Sequence, residues 1–355
     1  MSRFFTIGPV QMSARVAHAG GLQPPYFRDE DFAARVIAAQ SELLEILGAG
    51  PDSEIAVMAS SGSGAMEAAV LNFSRRGDSV CVVNGGSFGQ RFTDIAQRLG
   101  RNAAELKPGP GKPVDLDALH ALFKAHRPTC LLINVHETST GQLFDVPAIS
   151  RICREFDTLL ICDAVSSIGC DPFSMSELGV NVVLFSANKG LALSPGAAFV
   201  IADTVAMARR ACSESLYFDL GPYFSGAKRG QPPVTSAVSV LMQLFERLNE
   251  IRDLGGIGAV VDHTRTLAHG FRAELTGLGF ELFAQTPSNA ITAFVLQQGT
   301  SSELYDYLKT KHDIYINKSA WGLGMDVPRV GHAGAINAED NAALVRALGD
   351  YIKCT

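Results

Sequence analysis

The chain has 355 residues, 47% of them hydrophobic, which is ample for a large core and at the upper limit of a single domain; one large and one small domain is the expected division. A formal net charge of −6 speaks against a nucleic-acid or anionic-membrane surface, and no run of 18 apolar residues offers a transmembrane span. The seven cysteines are odd in number, Cys81, Cys130 and Cys162 lie in apolar strand-like runs, and no C-x-x-C pair or zinc-type spacing occurs, so reduced core residues and no metal site are expected. The opening residues Met1-Ser2-Arg3-Phe4-Phe5 carry no long apolar h-region, and the expected location is the cytoplasm.

In chain order, residues 1–30 read as an irregular arm, interrupted by Gly8-Pro9, Gly20-Gly21 and Pro24-Pro25. The spacing of Phe32, Val36, Leu43, Leu44 and Ile46 predicts a helix over 31–47, stopped by Gly48, Gly50 and Pro51. Strands at 55–58, 79–83 and 130–135 then alternate with helices at 65–72, 90–99 and 146–156. Strands at 159–163, 182–186 and 197–201 follow, completing the pattern of an α/β, doubly wound, mostly parallel sheet. Gly221-Pro222, Gly226, Gly230 and Pro232-Pro233 mark a long irregular loop. Helical patterns over 234–251 and 260–278, a strand at 290–296, a helix at 303–311, a short strand at 314–316 and a last helix at 338–352 make a smaller α+β appendage. The expected division is an arm, 1–30, a large α/β domain, 31–240, and a small C-terminal α+β domain, 241–355.

Two successive strands carry the chemistry. Leu159-Leu160-Ile161-Cys162 ends on Asp163, and Val182-Val183-Leu184-Phe185-Ser186-Ala187-Asn188 ends on Lys189. Ligands of open α/β sheets bind beyond the carboxyl ends of the strands, so both side chains head for one crevice. A buried isolated charge costs several kcal/mol. Pyridoxal 5′-phosphate answers both, with an aldehyde for the lysine and a ring nitrogen for the aspartate. The plainer alternatives are a turn-forming or helix-capping Asp163 and a solvated Lys189. Ser60-Ser61-Gly62-Ser63-Gly64 lies between a strand and a helix, as a phosphate cradle or as an ordinary serine-capped turn. Phe88, between glycines at a strand end, is placed either to lie on a flat cofactor or to fill the core. The run His136-Glu137-Thr138-Ser139-Thr140-Gly141 is more polar than a core position tolerates. Arg329 offers a fork for a carboxylate or phosphonate, or is plain surface charge.

These residues carry a resemblance. Asp163-Ala164-Val165-Ser166-Ser167 and Ser186-Ala187-Asn188-Lys189 are similar to the class V aminotransferases, pyridoxal-phosphate enzymes of fold type I, and within them to the 2-aminoethylphosphonate–pyruvate transaminases. Arg28-Asp29-Glu30-Asp31-Phe32, Val83-Asn84-Gly85, Gly89-Gln90-Arg91, Pro195-Gly196 and Arg329-Val330-Gly331 agree as well. The resemblance implies that Lys189 binds the cofactor aldehyde and moves the substrate proton, while Asp163 keeps the ring nitrogen protonated. It implies that Phe88 stacks on one ring face, where relatives have Tyr or Trp, with Val165 on the other, and that Thr138 meets the ring hydroxyl. Ser61, Gly62, Ser63, Gly64 and Asn188 are implied around the phosphate, and Arg329 around the acidic group of the substrate. It further implies a homodimer with active sites at the interface, where a segment near Gln231 reaches the partner's phosphate; relatives commonly have a threonine there.

The expected activity is a ping-pong transfer of an amino group from a small primary amine, 2-aminoethylphosphonate or similar, to a 2-oxo acid such as pyruvate. Other readings are an alanine– or serine–glyoxylate-type aminotransferase or one acting on another small amino compound. A lyase or cysteine desulfurase requires a catalytic cysteine on a mobile loop, for which Cys170 and Cys212 have no supporting context. A cofactor-binding module without turnover is opposed by the intact Lys189, Asp163 and Arg329.

Overall fold

The structure, a computed structural model, describes residues 2–211, 213–320, 322 and 324–354. Its centre is a sheet of seven strands: β1 (Glu54–Met58), β2 (Ser79–Val83), β3 (Asn102–Leu106), β4 (Cys130–Asn134), β5 (Leu159–Asp163), β6 (Val182–Ser186) and β7 (Ala198–Ala202). They lie in the order β1-β7-β6-β5-β4-β2-β3. Only β7 is antiparallel to its neighbours β1 and β6; the other pairs are parallel. The apolar runs divide by the period-two alternation of a strand. Leu131, Ile133, Leu160, Cys162, Val183 and Phe185 enter the core on one face of the sheet. Leu132, Leu159, Ile161, Val182 and Leu184 enter the core on the other. Fully burying a Leu, Ile or Phe side chain contributes about 1.5–3 kcal/mol, so this two-sided core dominates the stability.

Register sets the site. Asn134, the last residue of β4, pairs with Asp163, and Asp163 pairs with Leu184 of β6. The three strands therefore end within a residue or two of one another, at the edge where Lys189 follows. A three-stranded antiparallel sheet, Glu281–Leu282, Ile291–Val295 and Arg329–Gly331, lies in the C-terminal part. Its own core includes Phe271, Phe294, Leu304, Val330 and Leu348. The helix Val238–Asp253 instead contributes Leu241, Leu244, Leu248 and Ile251 to the core of the large sheet.

The sequence misleads at several points. The arm contains a helix, Ala14–Gly21, capped by the Ser13 side chain, with Gly20-Gly21 closing it rather than preventing it. At Gly20 a Cβ would stand 2.2 Å from Gln243 of the helix Val238–Asp253, so the glycine permits a close approach. The supposed loop holds a helix, Leu220–Ala227, capped by Asp219. Its Pro222 falls in the first turn, where the missing N–H costs nothing. β3 and the helix Leu116–His126 also went unread, β3 because three of its five residues are Asn, Ala and Ala.

Candidate active site

The helix Gly62–Phe73 starts three residues before its apolar pattern, so Gly62, Ser63 and Gly64 form its first turn, whose N–H groups have no partners within the helix. Ser61 is its cap, accepting from the Gly64 N–H at 3.4 Å. Gly62 lies against Val165: a Cβ there would meet Val165 Cγ2 at 2.8 Å. The Ser63 hydroxyl accepts from Arg91 at 2.5 Å, and the Arg91 guanidinium lies 4.9 Å from the centre of the Phe88 ring. The serine–glycine turn, Val165, Arg91 and Phe88 are thus one cluster.

Asp163 is 6% exposed. One carboxylate oxygen accepts from the Val165 N–H at 2.7 Å, the other from Asn134 Nδ2 at 2.8 Å. Burial pushes the carboxyl up to about 6, and these two hydrogen bonds hold it from rising further. Lys189 is pulled down to about 8 by burial, against the attraction of Asp163. Its Nζ donates to the Ile7 carbonyl at 2.8 Å. Gly8 lies directly against it: a Cβ there would stand 2.4–2.5 Å from Lys189 Cδ, Cε and Nζ.

A cavity of about 590 Å³ opens over this amine, lined by Gly8, Phe88, Arg91, Thr138, Lys189 and Arg329 among others. Arg329 is buried, donating to the carbonyls of Lys318 (Nη2, 2.8 Å) and Thr138 (Nη1, 3.2 Å). Burial lowers it to about 10, with Glu137 opposing, so it stays a cation at neutral pH. Thr138 shares a 3.0 Å hydrogen bond with Ser166. Asn188 accepts from the Ser186 hydroxyl at 3.1 Å. Asp163, Val165, Asn188 and the turn 61–64 lie outside the cavity lining, as does Gln231, which bonds reciprocally with Arg28. Of the cysteines weighed above, Cys170 is buried and raised far above its ordinary value, and Cys212 lies outside the described residues.

Four residues here had been given no role from the sequence. Asn134 holds the Asp163 carboxylate. Glu137, fully buried, accepts from the N–H groups of Phe88, Gly89 and Ser139 and from the Ser139 hydroxyl. A carboxylate thereby sits on the first turn of the helix Ser87–Arg98, where the helix dipole favours it. Ile7 and Asn317 join from the arm and the C-terminal part. The polar run at 136–141 was a signal for Glu137; a backbone carbonyl such as that of Ile7 leaves none.

The family model for class-V aminotransferases matches residues 26–323. The 2-aminoethylphosphonate–pyruvate transaminase of Aeromonas hydrophila subsp. hydrophila is 32% identical over 303 residues, 81% of this chain and 78% of that one. A protein of Synechococcus sp. named soluble hydrogenase, small subunit, is 31% identical over 349 residues, 96% of this chain and 90% of that one. The crystal structure of an alanine–glyoxylate aminotransferase from Nostoc sp. superposes with a TM-score of 0.93 at 25% identity, covering 99% of this chain and 96% of that one. The fold is that of the fold type I aminotransferases, and the site sets a lysine amine within the electrostatic reach of a buried carboxylate. The chain belongs to the class-V aminotransferase family, and the protein is a transaminase of the pyridoxal-phosphate-dependent class.

Proposed function

We propose that the protein binds pyridoxal 5′-phosphate at Lys189 and transfers an amino group from a small primary amine bearing an acidic group, 2-aminoethylphosphonate or similar, to a 2-oxo acid such as pyruvate. The observation that carries this reading is the Lys189 amine, which shares one cavity with the buried cation Arg329 and feels the charge of Asp163. The residues fit the cofactor. Gly62 leaves no room for a side chain beside Val165, and the first turn behind Ser61 offers N–H groups to a phosphate. Phe88 lines the cavity that a flat ring would enter.

When bound, pyridoxal phosphate supplies an aldehyde for amines and a ring that accepts the electron pair left by deprotonation. The chain does the rest. Asp163, ionised above about pH 6, would hold a proton at the ring nitrogen. Lys189, lowered to about 8, is neutral in roughly a tenth of molecules at pH 7, enough to take the substrate's carbon-bound proton and return it. Arg329 orients the acidic group. Thr138 would meet the ring hydroxyl, and Ser61, Ser63 and Asn188 would hold the phosphate. A homodimer with Gln231 at the partner's phosphate, and a cytoplasmic location, belong to the same reading.

A panel of amines with pyruvate and glyoxylate, followed by oxo-acid exchange, tests it. Turnover is expected to be fastest with 2-aminoethylphosphonate and pyruvate. Arg329→Lys is expected to raise KM for acidic donors by roughly 10–100-fold, since it loses a charge-assisted fork, while simple amines change little. A preference for alanine with glyoxylate would instead favour the second reading, which the similarity to the Nostoc enzyme supports. No turnover with any pair would sink both.

A further inference from the structure

We propose that Asn317 is a positioning residue for Lys189, acting through the carbonyl of Ile7. The proposal rests on the reading of Lys189 as the cofactor-binding lysine. The link is continuous. The Ile7 N–H donates to Asn317 Oδ1 at 2.8 Å, and the Ile7 carbonyl accepts from Lys189 Nζ at 2.8 Å. The Asn317 backbone pairs with Arg329 in both directions, each bond 2.9 Å. One residue thus holds the substrate-side arginine through its main chain and the lysine through its side chain. All four groups, Ile7, Lys189, Asn317 and Arg329, line the same cavity.

The strap that carries Ile7 is fixed at both ends. Arg3–Phe4 pairs in parallel with Ile314–Tyr315. Phe5 donates to Tyr315 O at 2.8 Å and accepts from the Gly331 N–H at 2.8 Å. Further on, the Val10 N–H donates to the Asn188 carbonyl at 3.3 Å. Between these anchors Gly8 takes a φ of +138°, a conformation that side chains disfavour, and leaves the space the lysine chain fills. Asn317 Oδ1 is the hydrogen-bond acceptor for the Ile7 N–H in the middle of this span. Without it the Ile7 carbonyl is free to turn from the amine. Displacement of a reacting group by about 1 Å is enough to cost on the order of a hundredfold in rate.

Other charged or titratable groups acting on Lys189 are Asp163, Arg329, Cys170 and Arg91, and an exchange at 317 leaves each in place. The cofactor-free protein is therefore treated with an amine-reactive reagent across pH, and modification of the Lys189 peptide is followed by mass spectrometry. In Asn317→Ala the midpoint is expected to fall by about one pH unit, because the ammonium loses its carbonyl acceptor. In the holoenzyme kcat is expected to fall by about tenfold or more while KM for the acidic substrate moves little, since Arg329 keeps its backbone partner. Asn317→Asp retains the acceptor and is expected to hold the midpoint at or above the wild-type value. Asn317→Leu, of similar volume without an acceptor, repeats the Ala result where Ala is too unstable to purify. An unchanged midpoint and kcat in the acceptor-less variants overturns the proposal, as does an equal fall in the Asp variant. Absence of borohydride-fixed pyridoxal phosphate on Lys189 of the wild type would overturn the underlying reading as well, which separates the two failures.

Discussion

At the scale of single residues, Asp163 sets function against stability. Its carboxyl moves from 3.8 to about 6 on burial, so folding favours the protonated acid. The sign follows: below about pH 4 the group is neutral in both states and costs nothing, and the penalty grows as pH rises to 6, then stays. The shift corresponds to about 3 kcal/mol. In cofactor-free protein, Asp163→Asn is therefore expected to gain about 3 kcal/mol relative to wild type between pH 4 and pH 7, read from urea unfolding at each pH. The same variant is expected to lose transamination by about a thousandfold, because an amide cannot keep the ring nitrogen charged. A variant that is no more stable at pH 7 than at pH 4, relative to wild type, would contradict the burial penalty. Asp163 and Lys189 were legible because a charge closing an apolar strand is conspicuous. Asn134, the last residue of β4, was hidden between the apolar Ile133 and Val135, and its partner is 29 residues away.

At the scale of elements, the central strands and the helix starts at 30, 146 and 338 were legible, while the starts beside the site were not. β5 and β6 were readable as runs of Leu, Ile, Val and Phe covered on both faces. The helices Gly62–Phe73 and Ser87–Arg98 both begin three residues before their sequence pattern, because glycine and serine are poor helix formers. What holds the second start is tertiary: the Glu137 carboxylate accepts from Phe88 and Gly89. Glu137→Ala strands those buried donors and is expected to cost about 3 kcal/mol. It should also loosen Phe88, weakening cofactor retention on dialysis, whereas Glu137→Gln, which still accepts, should lose less. Equal stability of the Ala variant and wild type would remove Glu137 from this role.

At the scale of the whole molecule, the alternating pattern foretold the sheet with its helices, while the contacts that close the molecule are too distant in sequence to read. Asp171 accepts from Ser288 at 2.5 Å and from the Asn289 N–H at 2.8 Å, clasping the large sheet's loop to the C-terminal part across more than a hundred residues. The strap from Arg3 to Val10 does the same across more than three hundred. Together these place Arg329 opposite Lys189, which no local pattern announces. The central claim is that Lys189, alone among the lysines, meets pyridoxal phosphate. The most direct measurement is borohydride reduction of the purified holoenzyme followed by peptide mass spectrometry. A phosphopyridoxyl group on Lys189, lost in Lys189→Ala together with the near-visible absorbance, is the expected result; the label on another lysine, or none at all, would contradict it.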